Sequence, residues 1–157
     1  MRSQESEVMR IHDVSISLLE VPGEVSLNIN VAGCPLRCDG CHSPHLRNDK
    51  GVKDVSCSEM LTMFGSYLPY VTCINFMGGE WAYDIETFID FLKPHFKVSM
   101  YTGCTLDQIK FAHKLDYIKV GPYKEELGGL ASKATNQRMY FFDDKGMTDI
   151  THKFQRG

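Results

Sequence analysis

Long apolar runs are missing from this chain. No stretch approaches the roughly 18–20 residues needed to span a bilayer, and no apolar leader runs into a small-residue cleavage site. These absences lead us to expect a cytoplasmic protein with no membrane association. An excess of positive charge is missing as well. With 17 basic against 20 acidic residues the net charge is −3. General nucleic-acid binding needs clustered Lys and Arg to neutralise phosphates, so that class is excluded. Repeats, low-complexity tracts and linker-like stretches are also absent. The 157 residues are too few for a complete eightfold β/α barrel, which takes about 250. They suit one domain over residues 1–157, with a loose polar lead-in over 1–10. A composition 43% hydrophobic and 24% charged excludes a wholly disordered chain.

Cysteine is present and unevenly spread. Of the six, Cys34, Cys38 and Cys41 fall within eight residues, while Cys57, Cys73 and Cys104 stand apart. Without a secretory leader, a tight cluster reads as metal ligation rather than cross-linking. It requires a reducing compartment, because thiolates must stay unpaired to hold a metal. The three isolated cysteines read as core or incidental thiols, since a free cysteine packs as a small hydrophobe.

Alternation over Val14–Leu19 predicts a first strand, closed by a turn at Pro22-Gly23. Cleaner alternation over Val25–Val31 predicts a second strand that runs straight into Gly33-Cys34. A polar stretch, Arg47–Asp54, comes next. Ser56 and Glu59 have capping-box spacing ahead of Met60, Phe64 and Leu68 at the helical period, which predicts a helix over about 56–68. Val71–Met77 is a compact apolar strand ending in Gly78-Gly79-Glu80. Asp84 is placed to cap the next helix, whose buried face carries Ile85, Phe88, Ile89 and Leu92 before Pro94 stops it. Val98–Thr102 reads as a strand ending at Gly103. Thr105 and Gln108 form a second capping box, opening a short helix to about Lys114. Tyr117–Val120 is a strand ending at Gly121-Pro122, and Arg138–Phe142 a last strand with a short tail beyond Gly146.

Strands alternating with helices of this length mean βαβ units and a parallel sheet. The expected fold is α/β, a partial, open (β/α) barrel of about four to six units. Ligands of such sheets collect at the carboxyl ends of the strands. The cysteine loop, Gly78-Gly79-Glu80, Thr102-Gly103 and Gly121-Pro122 all fall at that edge.

Cys34-Pro-Leu-Arg-Cys38-Asp-Gly-Cys41 has the spacing C-x3-C-x2-C. One loop of that spacing can wrap three corners of a cubane iron–sulfur cluster, leaving the fourth iron without a protein cysteine. A closed zinc site is the alternative, with His42 or His45 supplying the fourth ligand.

The same loop, placed after a strand, resembles the signature of the radical S-adenosylmethionine (SAM) superfamily, and Gly78-Gly79-Glu80 resembles its glycine-rich motif. The stretch Val31–Cys41 is similar to the cluster loop of the activating proteins of anaerobic (class III) ribonucleotide reductases. Tyr101-Thr102-Gly103 with Leu106–Ile109, Tyr117–Tyr123 and Ser132–Arg138 resemble later segments of those proteins, in the same order. The likeness runs from about residue 25 to 142. Two positions depart from the pattern: His42 stands where an aromatic usually succeeds the third cysteine, and Glu80-Trp81 where aspartate-proline often succeeds the glycines.

The resemblance implies a [4Fe–4S] cluster on Cys34, Cys38 and Cys41, with SAM chelating the fourth iron. Gly78 and Gly79 would let the backbone approach SAM, and Glu80 would pair with its ammonium group. Thr102 would bond the ribose or carboxylate, with Ser99 as a weaker contact, Val120 would pack on the adenine, and His42 bears on the stacking around that ring. Asn136, Gln137 and Arg138 would face a partner. The reaction implied is one-electron cleavage of SAM and formation of a glycyl radical on the large reductase subunit. An external one-electron donor such as flavodoxin and self-association as a homodimer belong to the same expectation. The alternatives are another radical SAM enzyme, of the pyruvate formate-lyase-activating or small-metabolite tailoring kind, or a non-catalytic iron–sulfur or zinc redox module.

Overall fold

The computed structural model describes residues 8–32, 52–82 and 84–155. Among these residues, eight strands form a single mixed sheet. They are β1 (Val8–Ser17), β2 (Ser26–Val31), β3 (Lys53–Ser56), β4 (Cys73–Met77), β5 (Lys97–Tyr101), β6 (Tyr117–Val120), β7 (Arg138–Asp143) and β8 (Gly146–Asp149). Their spatial order is β3-β1-β2-β4-β5-β6-β7-β8. The inner four, β2, β4, β5 and β6, run parallel. The flanking pairs are antiparallel. The sheet is open, as expected of a partial (β/α) barrel, with its parallel centre bordered on each side by antiparallel strands.

Two α-helices, α1 (Cys57–Met63) and α2 (Ile85–Leu92), occupy the crossovers into β4 and β5. Ser56 begins α1 with a reciprocal capping box: its hydroxyl accepts from the Glu59 amide at 3.2 Å, and its own amide donates to Glu59 at 3.4 Å. The helix stops at Phe64, ahead of Leu68, and Gly65 comes directly after. Ile85, Phe88, Ile89 and Leu92 of α2 are buried as their spacing requires. Asp84 precedes that helix but does not cap it; its Oδ2 accepts from the Val8 amide at 3.1 Å and so ties down the start of β1.

Several boundaries differ from those the sequence suggests. Val8–Arg10 are not lead-in but the first residues of β1, paired with β3. Met9 and Ile11 are buried there, and that burial rather than local pattern holds the strand. Lys53 and Asp54, polar loop by pattern, open β3 on its exposed side, with only Val55 and Ser56 buried. β8 lies where the sequence suggests only a tail; all four residues are exposed, so no apolar alternation marks it and pairing with β7 alone defines it. The segment after Thr105 keeps its capping box but forms two 3-10 turns, Leu106–Gln108 and Ala112–Lys114, instead of an α-helix. Extended Ile109 separates them.

Strand alternation splits the sheet into two chemical faces. Leu27, Ile29, Val31, Ile74, Phe76, Val98, Met100, Ile118 and Val120 point to the helices and make one core with Met60, Phe64, Phe88, Ile89 and Leu92. The opposite face carries Asn28, Asn75 and Ser99 in adjacent register across β2, β4 and β5. At its far side Val21, Cys73, Tyr117, Leu130, Met139 and Ile150 form a smaller apolar cluster. Among the described residues no helix is long and apolar enough to cross a membrane.

Candidate functional site

The carboxyl edge of the parallel strands is built around β4. Beyond Met77, Gly78 and Gly79 both adopt positive φ, +86° and +106°, which residues with a Cβ rarely adopt. Their own surroundings demand glycine too. A Cβ on Gly78 would lie 2.4 Å from the Trp81 ring, and one on Gly79 would lie 3.1 Å from Val31 Cγ2. Trp81 Nε1 donates to the Ala32 carbonyl at 2.8 Å. The glycine turn, Trp81 and the end of β2 therefore form one packed unit at the root of the cysteine loop. The sequence marked Trp81 only as a departure from the family pattern and gave it no role; it is the chain's one tryptophan, next to the glycine motif, and that position was the available signal.

Glu80 reaches over this edge toward β5 and β6. Its Oε1 accepts from the Cys104 thiol at 3.6 Å, whereas Oε2 is shut off from solvent and has no hydrogen-bond partner among the described residues. Burial pushes the Glu80 carboxyl up from its ordinary value. Hydrogen bonds from Thr102 and Cys104 and the charge of Lys119 pull the other way without cancelling that effect. Thr102 is buried at the end of β5, and its Oγ1 accepts from the Cys104 amide at 3.0 Å. Cys104 is held a second time through its carbonyl, which accepts from the Gly121 amide at 2.8 Å. Lys119 is 8% exposed and sits with Nζ 5.3 Å from the centre of the Tyr101 ring. Cys104 and Lys119 are the further polar members that the sequence did not single out. A lone cysteine and a strand lysine carry no spacing signal, and only the sheet register brings them to Glu80.

Ser99 is fully buried on the polar face beside Asn75, and among the described residues both Ser99 Oγ and Asn75 Oδ1 lack a hydrogen-bond partner. Asn75 Nδ2 donates to Asn28 Oδ1 at 3.0 Å, which turns the Asn75 oxygen the other way. Val120, expected against the adenine, belongs to the helix-side core with Ile118. Gly121, with φ +102°, lets the chain turn beneath residues 136 and 137. Gln137 is buried and Asn136 half-buried: Asn136 Nδ2 donates to the Pro122 carbonyl at 3.1 Å and Gln137 Nε2 to the Gly121 carbonyl at 3.2 Å. Arg138 is exposed at β7, 3.8 Å from Asp149.

Cys34, Cys38, Cys41 and His42 lie outside the described residues. Within the described residues no three His, Cys, Asp or Glu side chains group as a metal site. Cys57 and Cys73 are buried free thiols, and burial pushes the Cys73 thiol far up. They are core residues, as expected, whereas Cys104 belongs to the edge. The residues present fit the cofactors the sequence implies. An unpartnered carboxylate oxygen suits an ammonium group, and orphaned hydroxyl and amide oxygens suit a polar ligand, because leaving such groups unpaired costs about 1–3 kcal/mol each.

An open α/β sheet whose Gly-Gly-Glu turn packs against the end of the strand that precedes the three clustered cysteines has the architecture of a partial (β/α) barrel. A model of the 4Fe–4S single cluster domain matches residues 21–138. The chain is 35% identical over 156 residues to a pyruvate formate-lyase-activating enzyme of Clostridium pasteurianum, an alignment covering 94% of this chain and 59% of that protein. It thus spans about three-fifths of the length of this relative. The structure of QueE from Escherichia coli superposes with a TM-score of 0.57 at 18% identity, over 65% of this chain and 56% of that one, a likeness of fold. The chain belongs to the 4Fe–4S single cluster domain family, within the radical SAM superfamily. Its cofactors are a [4Fe–4S] cluster and SAM.

Proposed function

We propose that this chain is an activating enzyme that places a glycyl radical on a partner protein, and that the partner is the large subunit of an anaerobic ribonucleotide reductase. The observation that carries the reading is the buried, unpartnered Glu80 Oε2 on the carboxyl edge, locked through Gly79 and Trp81 to the strand that enters the cysteine loop. The reductase target is supported by the ordered resemblances in Val31–Cys41, Tyr101–Gly103, Tyr117–Tyr123 and Ser132–Arg138. When bound and given one electron from an external donor such as flavodoxin, the cofactor pair supplies methionine and a 5′-deoxyadenosyl radical able to take a hydrogen atom from a glycine Cα.

The protein's own residues bind and orient. Cys34, Cys38 and Cys41 would hold three irons as thiolates. Glu80 Oε2 would accept from the amino group of SAM, with the Gly78-Gly79 backbone beside it. Thr102 would hold Glu80 ionised, and Ser99 with Asn75 would offer polar contacts deeper on the same face. Val120 would support this edge from the core side. The second reading is a pyruvate formate-lyase-type target, favoured by the 35% identity to an activating enzyme of that name.

The test is anaerobic incubation of the cluster-loaded protein with SAM, a strong reductant and each candidate target in turn. The expected result is 5′-deoxyadenosine together with a glycyl-radical EPR signal on the anaerobic reductase subunit, both lost in Cys38→Ala. A signal on pyruvate formate-lyase alone would select the second reading. No 5′-deoxyadenosine from protein holding a full cluster would overturn both.

A further inference from the structure

Cys104 stands far in sequence from the three clustered cysteines and has no metal-ligand spacing, yet its thiol reaches Glu80. Its thiol lies 3.6 Å from Glu80 Oε1. Its position is fixed on both sides of the residue: its amide donates to Thr102 Oγ1 at 3.0 Å, and its carbonyl accepts from the Gly121 amide at 2.8 Å. Two polar groups, Thr102 and Cys104, thus converge on Glu80 from the end of β5. A carboxylate has two oxygens, and engaging one by donors sets where the other points. Here the oxygen left over is Oε2, buried and unpartnered.

We propose that Cys104 is a positioning residue: its S–H bond to Glu80 Oε1 orients the carboxylate so that Oε2 meets the amino group of SAM. This inference rests on the role proposed for Glu80. Among the described residues, the charged and titratable groups facing Glu80 are Lys119 from β6 and Cys104 itself, with the Thr102 hydroxyl from the end of β5. A donor to the ionised form favours that form. Removing the thiol therefore leaves the carboxyl more readily protonated as well as less well aimed.

The test is equilibrium binding of SAM to the anaerobic, cluster-loaded protein across pH, compared with the SAM analogue whose amino group is replaced by a keto oxygen. Cys104→Ala is expected to weaken SAM binding about tenfold or more at neutral pH, in line with loss of one hydrogen bond to a charged group. The pH at which binding fails should move upward, and affinity for the keto analogue should stay unchanged. Cys104→Ser retains a donor and should restore the wild-type profile. Equal losses for SAM and the keto analogue, or equal losses in the Ser and Ala variants, would mean that Cys104 acts through packing alone and would overturn the proposal. Glu80→Gln separates the role of Cys104 from that of Glu80. If it weakens SAM binding while Cys104→Ala does not, the positioning role fails and the role of Glu80 stands. If it leaves SAM binding intact, the role of Glu80 fails and the positioning role with it.

Discussion

Glu80 and Gly78 show how much of this site is decided atom by atom. Glu80 is an acid kept partly out of water, and the direction of its shift comes from that. Burial raises its folded pKa above the unfolded value, so the ionised folded state is penalised above the folded pKa and the penalty is relieved as pH falls through it. Glu80→Gln should therefore stabilise the cluster-loaded protein, without SAM, by about 1 kcal/mol at neutral pH. The gain over wild type should shrink on acidification, and urea unfolding at several pH values checks it. Gly78→Ala should do the opposite. A positive φ costs an L-residue about 1–2 kcal/mol, and the new Cβ would meet a tryptophan ring whose nitrogen is bonded to Ala32. A loss of at least about 2 kcal/mol in chemical denaturation is expected. The sequence singled out both glycines, but it assigned their freedom to the ligand. The packing assigns it equally to Trp81 and Val31, which no local pattern could announce.

Helix starts are legible in sequence because capping is local, and both boxes read from spacing are present, at Ser56/Glu59 and Thr105/Gln108. The length of the helix beyond its cap is set less locally. α1 has only seven residues, too few to stand on propagation alone, so its reciprocal cap carries an unusual share of its stability. Ser56→Ala should cost about 1 kcal/mol in urea unfolding. The Thr105 segment never becomes an α-helix, because Ile109 is extended and buried between its two turns. Strands divide in the same way. β2, β4, β5 and β6 carry alternation or apolar runs and lie close to where those patterns place them. β3 and β8 are exposed edge strands, where half or none of the residues are buried, and neither leaves a period in the sequence.

At the scale of the whole molecule, the two ends of the parallel strands are built from different chemistry. The carboxyl edge carries the glycine turn and Glu80, while the opposite edge is tied by Glu24. That side chain is 9% exposed and pairs with Lys97 at 3.2 Å. It accepts from the Thr72 hydroxyl at 2.7 Å and the Tyr117 hydroxyl at 2.9 Å. It thereby joins the loop before β2 to the starts of β4, β5 and β6. Burial raises the Glu24 carboxyl, but the Thr72, Tyr117 and Lys97 interactions outweigh it and leave the group below its ordinary value. A depressed folded pKa contributes stability that is complete above the unfolded value of 4.5 and is lost as pH falls through the folded one. Glu24→Gln should cost about 1–2 kcal/mol at neutral pH. Urea unfolding at a series of pH values checks this, and the difference from wild type should vanish in acid.

By itself the sequence determined the class of chemistry and the element plan. Three cysteines at C-x3-C-x2-C are short-range information, and so are a Gly-Gly-Glu after an apolar strand, two capping boxes and the alternation of the central strands. Each is written within a few residues of itself. Only the tertiary structure decided which face of the sheet is polar, that Val120 packs into the core, and that Asn136 and Gln137 donate to the Pro122 and Gly121 carbonyls. It also decided that Trp81 joins the glycine turn to Ala32, and that Cys104 and Lys119 meet at Glu80. The physical reason is sequence distance. These contacts join residues 14 to 49 apart in sequence, at the ends of different strands, and their energy appears only when strand pairing closes the loops between them.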